Sequence, residues 1–136
     1  MARNSLLEAS LRAAMAGLAA LPLSVFAQDA QGMSSGAALF ESRCAACHSL
    51  DASRTGPMLR GVVGRQVASV AGYAYSDALK RVKGRWDARR LERWLTDPQS
   101  VAPGARMAFS LDSATERNAV IKYLASTSAP SGPAKR

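Results

Sequence analysis

Cys44 and Cys47 are separated by two alanines, and His48 follows at once, giving Cys44-Ala45-Ala46-Cys47-His48. The order C-x-x-C-H is the attachment signature of a c-type haem. Two thiols can add across the haem vinyl groups as thioethers, and the adjacent imidazole can reach the iron from one side. Other uses of a cysteine pair fit less well. A structural zinc site needs four Cys or His ligands, usually as two spaced pairs. This chain has two cysteines and one histidine in all. A thioredoxin-like dithiol calls for a βαβ setting, and no alternating strand pattern surrounds Cys44.

A haem fixed at this point either stays open for chemistry or takes a second ligand. Two histidines of one chain cannot ligate, because there is no other histidine. Methionine sulfur is soft, suits iron and raises the reduction potential relative to harder donors. Of five methionines, Met1 and Met15 would leave with the N-terminal 27 residues, which have the form of a secretory signal, and Met33 precedes the first helical stretch. Met58 follows His48 so closely that its loop must cross the histidine side. Met107 sits in Pro103-Gly104-Ala105-Arg106-Met107-Ala108-Phe109, a stiffened turn between two helical segments. A methionine beside a phenylalanine is by itself more often core filling than a ligand. The upstream pentapeptide makes Met107 the candidate for the second ligand.

Helices must carry these groups. Ser34 or Ser35 can cap a helix that starts near Gly36 and delivers Cys44 and Cys47 on adjoining turns. Gly36 and Phe40 share one face, and a glycine there is explained by close approach of another helix. That partner is the last helix, opened by the capping box Ser113-Ala114-Thr115-Glu116 and lined by Ala119, Val120, Tyr123 and Leu124. A third helix runs from Ala88 to Thr96, with Asp87 as N-cap, Leu91, Trp94 and Leu95 as apolar stripe, and Pro98 ending it. A short helix from Ser76 covers Asp77 to Arg81. The chain therefore reads as all-α with long loops. The stretch from Ser49 to Gly72, rich in glycine and poor in periodicity, is long for a compact domain. A large buried ligand accounts for it, because the loop can pack on the ligand.

At 136 residues the chain fits one domain. Residues 1–27 have the form of a secretory signal peptide, with Arg3 and Arg12, a small apolar run from Ala13 to Val25, and Val25-Phe26-Ala27 as cleavage signal. The run is short for a span of roughly 20 residues and is broken by Pro22, which favours cleavage near Ala27 over an anchor and argues against stable membrane insertion. Residues 28–33 form a short polar lead-in, 34–128 the domain, and 129–136 a Pro/Gly/Ser-rich flexible tail. Formal net charge is +8; removing Arg3, Arg12 and Glu8 leaves 16 basic and 9 acidic residues, about +7.

From Gly36 to Ser126 the chain resembles a class I cytochrome c, the small monohaem kind that includes the mitochondrial protein. The resemblance rests on the pentapeptide, on Thr55 to Arg65, on Gly72 to Ala78, and on Trp86, Leu91, Leu95, Pro98, Pro103-Gly104, Met107 and Phe109 in the family's order. Glu116-Arg117 and Ile121 to Leu124 resemble its final helix. It implies a class I cytochrome c fold, three to five helices wrapped around one covalently attached haem c. Cys44 and Cys47 would be the thioether positions, His48 the proximal ligand and Met107 the distal one. The Pro57 carbonyl would accept from the His48 ring, as groups behind a metal ligand do. Arg65, Tyr75 and Trp86 would hold the propionates, and Gly36 and Phe40 would pack on Tyr123 and Leu124. Leu79 stands where mitochondrial relatives carry asparagine, and Trp94 where tyrosine is common. These two departures imply a thinner hydrogen-bond network on the methionine side.

The function expected is that of a periplasmic one-electron carrier, a monomer rather than an enzyme, working between respiratory redox partners. Two strong axial ligands leave iron to cycle between its two oxidation states. The positive charge would steer redox proteins with acidic docking surfaces: a quinol-oxidising complex, a terminal oxidase or a periplasmic dehydrogenase. The alternative is a haem enzyme or gas-binding sensor with a displaceable Met107. A nucleic-acid binder is suggested by charge alone and has no recognition motif behind it.

Overall fold

The computed structural model describes residues 35–128; the expected leader, lead-in and tail lie outside the described residues. Among the described residues five helices follow one another: α1 over residues 35–44, α2 Asp77–Arg81, α3 Ala88–Thr96, α4 Pro98–Val101 and α5 Ala114–Ser126. Three start at the side-chain caps expected of them. Ser76 accepts from the Leu79 N–H, Asp87 from the Arg90 N–H at 2.7 Å, and Ser113 from the Glu116 N–H at 3.3 Å. Each satisfies one amide that a helix start leaves open. Ser35 is already helical, and the other candidate cap, Ser34, lies outside the described residues.

Two elements depart from the sequence reading. The last turn of α1, Phe40–Cys44, is π-helical, closed by the Ala45 N–H donating to the Phe40 carbonyl at 3.0 Å. The wider turn changes the angle at which Cys44 leaves the helix, a setting in which such turns recur near functional groups. Pro98 does not merely end α3. It occupies the first turn of α4, where its missing N–H costs nothing, and Asp97 caps that turn by accepting from the Gln99 N–H at 2.9 Å.

α1 meets α5 at Gly36. A Cβ there would lie 2.3 Å from the Ala119 carbonyl oxygen and 2.8 Å from Tyr123 Cβ. The two backbones touch, as a glycine at this position permits. Phe40, one turn on and buried, packs its ring against Tyr123 with centroids 5.7 Å apart. The core continues through Val120, Ile121 and Leu124 of α5 to Leu91, Trp94 and Leu95 of α3.

The glycine-rich loop is pinned rather than loose. The Leu59 and Arg60 amides donate to the carbonyls of Ser49 and Leu50, and Arg60 grips both oxygens of Asp51. Further on, an isolated antiparallel bridge pairs Gln66 with Arg85. Around it Trp86 donates to the Arg65 carbonyl at 2.8 Å, and Gly64 to the Trp86 carbonyl. No strand periodicity announces this contact, yet it is what brings Arg65 beside Trp86.

Candidate functional site

The helices and the loop enclose a cavity of about 420 Å³. Its lining includes Cys44, Cys47, His48, Pro57, Arg65, Tyr75, Trp86 and Met107, every site residue taken from the sequence. Leu59, Val62, Leu79, Leu91, Trp94, Leu95, Val120 and Leu124 supply about half of the remainder. Met58 does not line it; its carbonyl accepts from Arg65 instead.

His48 arrives one turn past α1, its amide donating to the Cys44 carbonyl at 2.8 Å. Its Nδ1 lies 2.8 Å from the Pro57 carbonyl oxygen. A carbonyl can only accept, so Nδ1 carries the proton and Nε2 keeps its lone pair. Burial pushes the His48 pKa below its usual 6.5, against the opposing pull of the Pro57 hydrogen bond. The ring is thus neutral near pH 7, the form that binds a metal. Gly56 makes this placement possible. A Cβ at Gly56 would lie 2.2 Å from His48 Cε1, inside the ring's own volume.

Before haem is attached, the Cys44 thiol is half-buried and the Cys47 thiol exposed. Burial, and then the neighbouring Cys47, push the Cys44 pKa up to about 11. Tyr75 also has its pKa raised, chiefly by burial. It therefore keeps its O–H as a donor while its oxygen accepts from the Val70 N–H at 3.2 Å. Tyr73 stacks edge-on against it and donates to the Thr55 carbonyl at 2.6 Å, tying the loop to the middle segment.

Met107 is half-buried, and its Sδ accepts from the Trp94 indole N–H at 3.2 Å. This corrects the expectation of a thin network. Leu79 indeed offers no donor, but Trp94 reaches the sulfur itself. Trp94 in turn packs edge-on against Trp86 at 5.3 Å. One residue escaped sequence reasoning altogether. Gln99 donates through Nε2 to the carbonyls of Ala105 and Met107, and accepts through Oε1 from the Gly104 N–H. Polar residues just before a Pro-Gly turn look like solvent-facing punctuation, so nothing in the sequence marked it.

The donor set fits a haem. Two thiols, an imidazole with a free Nε2 and a thioether share one largely apolar enclosure, with Arg65, Tyr75 and Trp86 on the same walls for carboxylates. Comparison with known proteins agrees. The family model "Cytochrome c" matches residues 33–128. A cytochrome c of Cochliobolus lunatus is 43% identical over 93 residues, spanning 65% of this chain and 86% of the relative. The cytochrome c-type protein cyt cy of Rhodobacter capsulatus is 42% identical over 87 residues, spanning 62% of this chain and 44% of that one. Among solved structures, cytochrome cH from Methylobacterium extorquens aligns with a TM-score of 0.66 and 36% identity, covering 69% of this chain and 97% of that one. The chain belongs to the cytochrome c family and has the all-α class I cytochrome c fold. Haem c is attached through its cysteine pair, here Cys44 and Cys47, and the family's members are electron carriers.

Proposed function

We propose that this chain is an exported, monomeric one-electron carrier whose haem iron is held by His48 and Met107. The observation that carries this reading is the shared cavity: His48 offers a neutral ring with Nε2 free, and Met107 offers a sulfur steadied by Trp94. The haem supplies the one-electron couple. The protein's part is to exclude water with Leu59, Val62, Leu91 and Leu95, to fix the imidazole through Pro57, and to balance the propionates with Arg65, Tyr75 and Trp86. Were His48 and Met107 both to hold the iron, no site would be left for a substrate, which speaks against an enzyme.

Partners of acidic surface suit the charge. Arg43 and Arg106 are exposed on the cavity's lining, and Phe109, 40% exposed, lies among them. An exposed apolar side chain on a lining that also carries two exposed arginines fits brief docking on a quinol-oxidising complex, a terminal oxidase or a dehydrogenase. Export to the periplasm rests on the N-terminal 27 residues and on the need to attach haem outside the cytoplasm. Among the described residues no helix is long and apolar enough to cross a membrane.

The test is the ferric spectrum of the purified holoprotein, before and after Met107→Ala. A far-red methionine–iron charge-transfer band, lost in the variant, is the expected result. High-spin ferric iron and ready carbon monoxide binding by the reduced wild type would instead favour a haem enzyme or gas sensor. Periplasmic fractionation of the tagged full chain, with N-terminal sequencing, tests export.

A further inference from the structure

The segment that carries Met107 has little backbone support of its own. Among the described residues, no backbone–backbone hydrogen bond lies between the one from the Ala105 amide to the Ala102 carbonyl and the one from the Leu111 amide to the Leu95 carbonyl. Side chains hold it instead. At its entry the Gln99 amide closes on the turn from both of its atoms: Nε2 donates to the Ala105 carbonyl at 3.0 Å and the Met107 carbonyl at 3.2 Å, and Oε1 accepts from the Gly104 N–H at 3.0 Å. The Arg106 side chain adds a bond to the Ala74 carbonyl.

At its exit Arg117 takes over. Its Nη1 donates to the Leu111 carbonyl at 2.6 Å and to the Asp112 carbonyl at 2.8 Å. Its Nε donates to Glu92 Oε1 at 2.6 Å, on the helix that also bears Trp94. Arg117 is 9% exposed, and an arginine so buried is kept only where it is paired. Glu92 Oε2 is buried with no protein partner, so its carboxylate is committed to Arg117 alone. Neither Gln99 nor Arg117 lines the cavity.

We propose that Gln99 and Arg117 are positioning residues for Met107: they clamp the two ends of its strap and set how readily the sulfur gives way to another ligand. The inference rests on the His48/Met107 ligation proposed above. A ligand carried on a strap is lost by the fraction of time the strap is open, so weakening a clamp raises the apparent affinity of any competitor.

The experiment is an imidazole titration of the ferric holoprotein, followed by loss of the far-red band, in wild type, Gln99→Glu and Arg117→Lys. Gln99→Glu keeps the acceptor for Gly104 and removes both donors, at an exposed position where folding is not at risk. Two ordinary hydrogen bonds lost together correspond to roughly tenfold in the opening equilibrium, so imidazole should bind about tenfold more tightly. Arg117→Lys should shift affinity in the same direction. Phe40→Leu, which loosens the α1–α5 contact away from the strap, should lower thermal stability and leave imidazole affinity unchanged. Wild-type affinity in both clamp variants overturns the inference. So does a Phe40→Leu affinity that rises in step with its lost stability, since that marks general loosening. A wild type without the band, or a Met107→Ala variant that retains it, overturns the ligation itself and the inference with it.

Discussion

Replacing Gly36 with alanine tests the helix contact on which the haem pocket is built. The added Cβ would sit 2.3 Å from the Ala119 carbonyl oxygen, 2.8 Å from Tyr123 Cβ and 3.0 Å from the Ala119 carbonyl carbon. Two of these are α5 backbone atoms and the third is fixed to it, so no side chain can swing aside. Ordinary contact begins near 3.4 Å, and α1 must therefore retreat by about 1 Å or tilt. Overpacking of this kind costs roughly 1–3 kcal/mol, while alanine returns up to about 1 kcal/mol of helix propensity. The net loss should be about 1–2 kcal/mol, equivalent to roughly 5–10 °C in Tm for a domain of this size. Phe40 against Tyr123 would be disturbed next, since they lie one turn along the same interface. The assay is thermal unfolding of the holoprotein by far-ultraviolet circular dichroism, with the Soret band followed in parallel. A Tm equal to or above wild type would refute the reasoning, because helix propensity would then be the larger effect.

Gly56→Ala should fail earlier, at maturation, because its Cβ would overlap the His48 ring. We expect a low yield of covalent haem per chain by pyridine haemochrome assay; a normal yield and spectrum would show that the loop yields instead. Trp94→Phe removes the donor to Met107 Sδ while keeping an aromatic ring against Trp86. Sulfur is a weak acceptor, so imidazole affinity of the ferric protein should rise only a few-fold, about threefold; no change would deny the indole a hold on the sulfur. The Asp51 carboxyl is held below its usual 3.8 chiefly by its hydrogen bond from Arg60. The unfolded chain thus takes up a proton before the folded one does. The pair's stabilisation is complete above pH 3.8 and disappears as pH falls through the lower folded value. Asp51→Asn should accordingly lower stability slightly near neutral pH and not at all in strong acid, and the difference should shrink in high salt because the pair is exposed.

Much of this protein was legible in the order of its residues. Cys44, Cys47 and His48 are neighbours in the chain, so their joint chemistry needs no fold to be read. Ser76, Asp87 and Ser113 bond to amides three residues on, and they mark helix starts by local chemistry alone. Gly36 was readable as a contact because a glycine inside an amphipathic helix needs a reason. Met107 followed from the shortage of other ligands.

Packing decided the rest. Glu92 and Arg117 stand 25 residues apart and meet because α3 and α5 cross. Gln66 faces Arg85 through a single bridge, too short to leave an alternating pattern. Pro98 signals a helix end to any local rule, yet Asp97 turns it into a helix start. The sequence by itself determined the cofactor, its attachment and the helices that frame it, since those depend on residues within a turn or two of one another. Only the tertiary structure decided what meets Met107: the Trp94 indole at its sulfur and the Gln99 amide at its carbonyl. Those bonds join separate elements, and no residue carries in its neighbours the address of a partner on another helix.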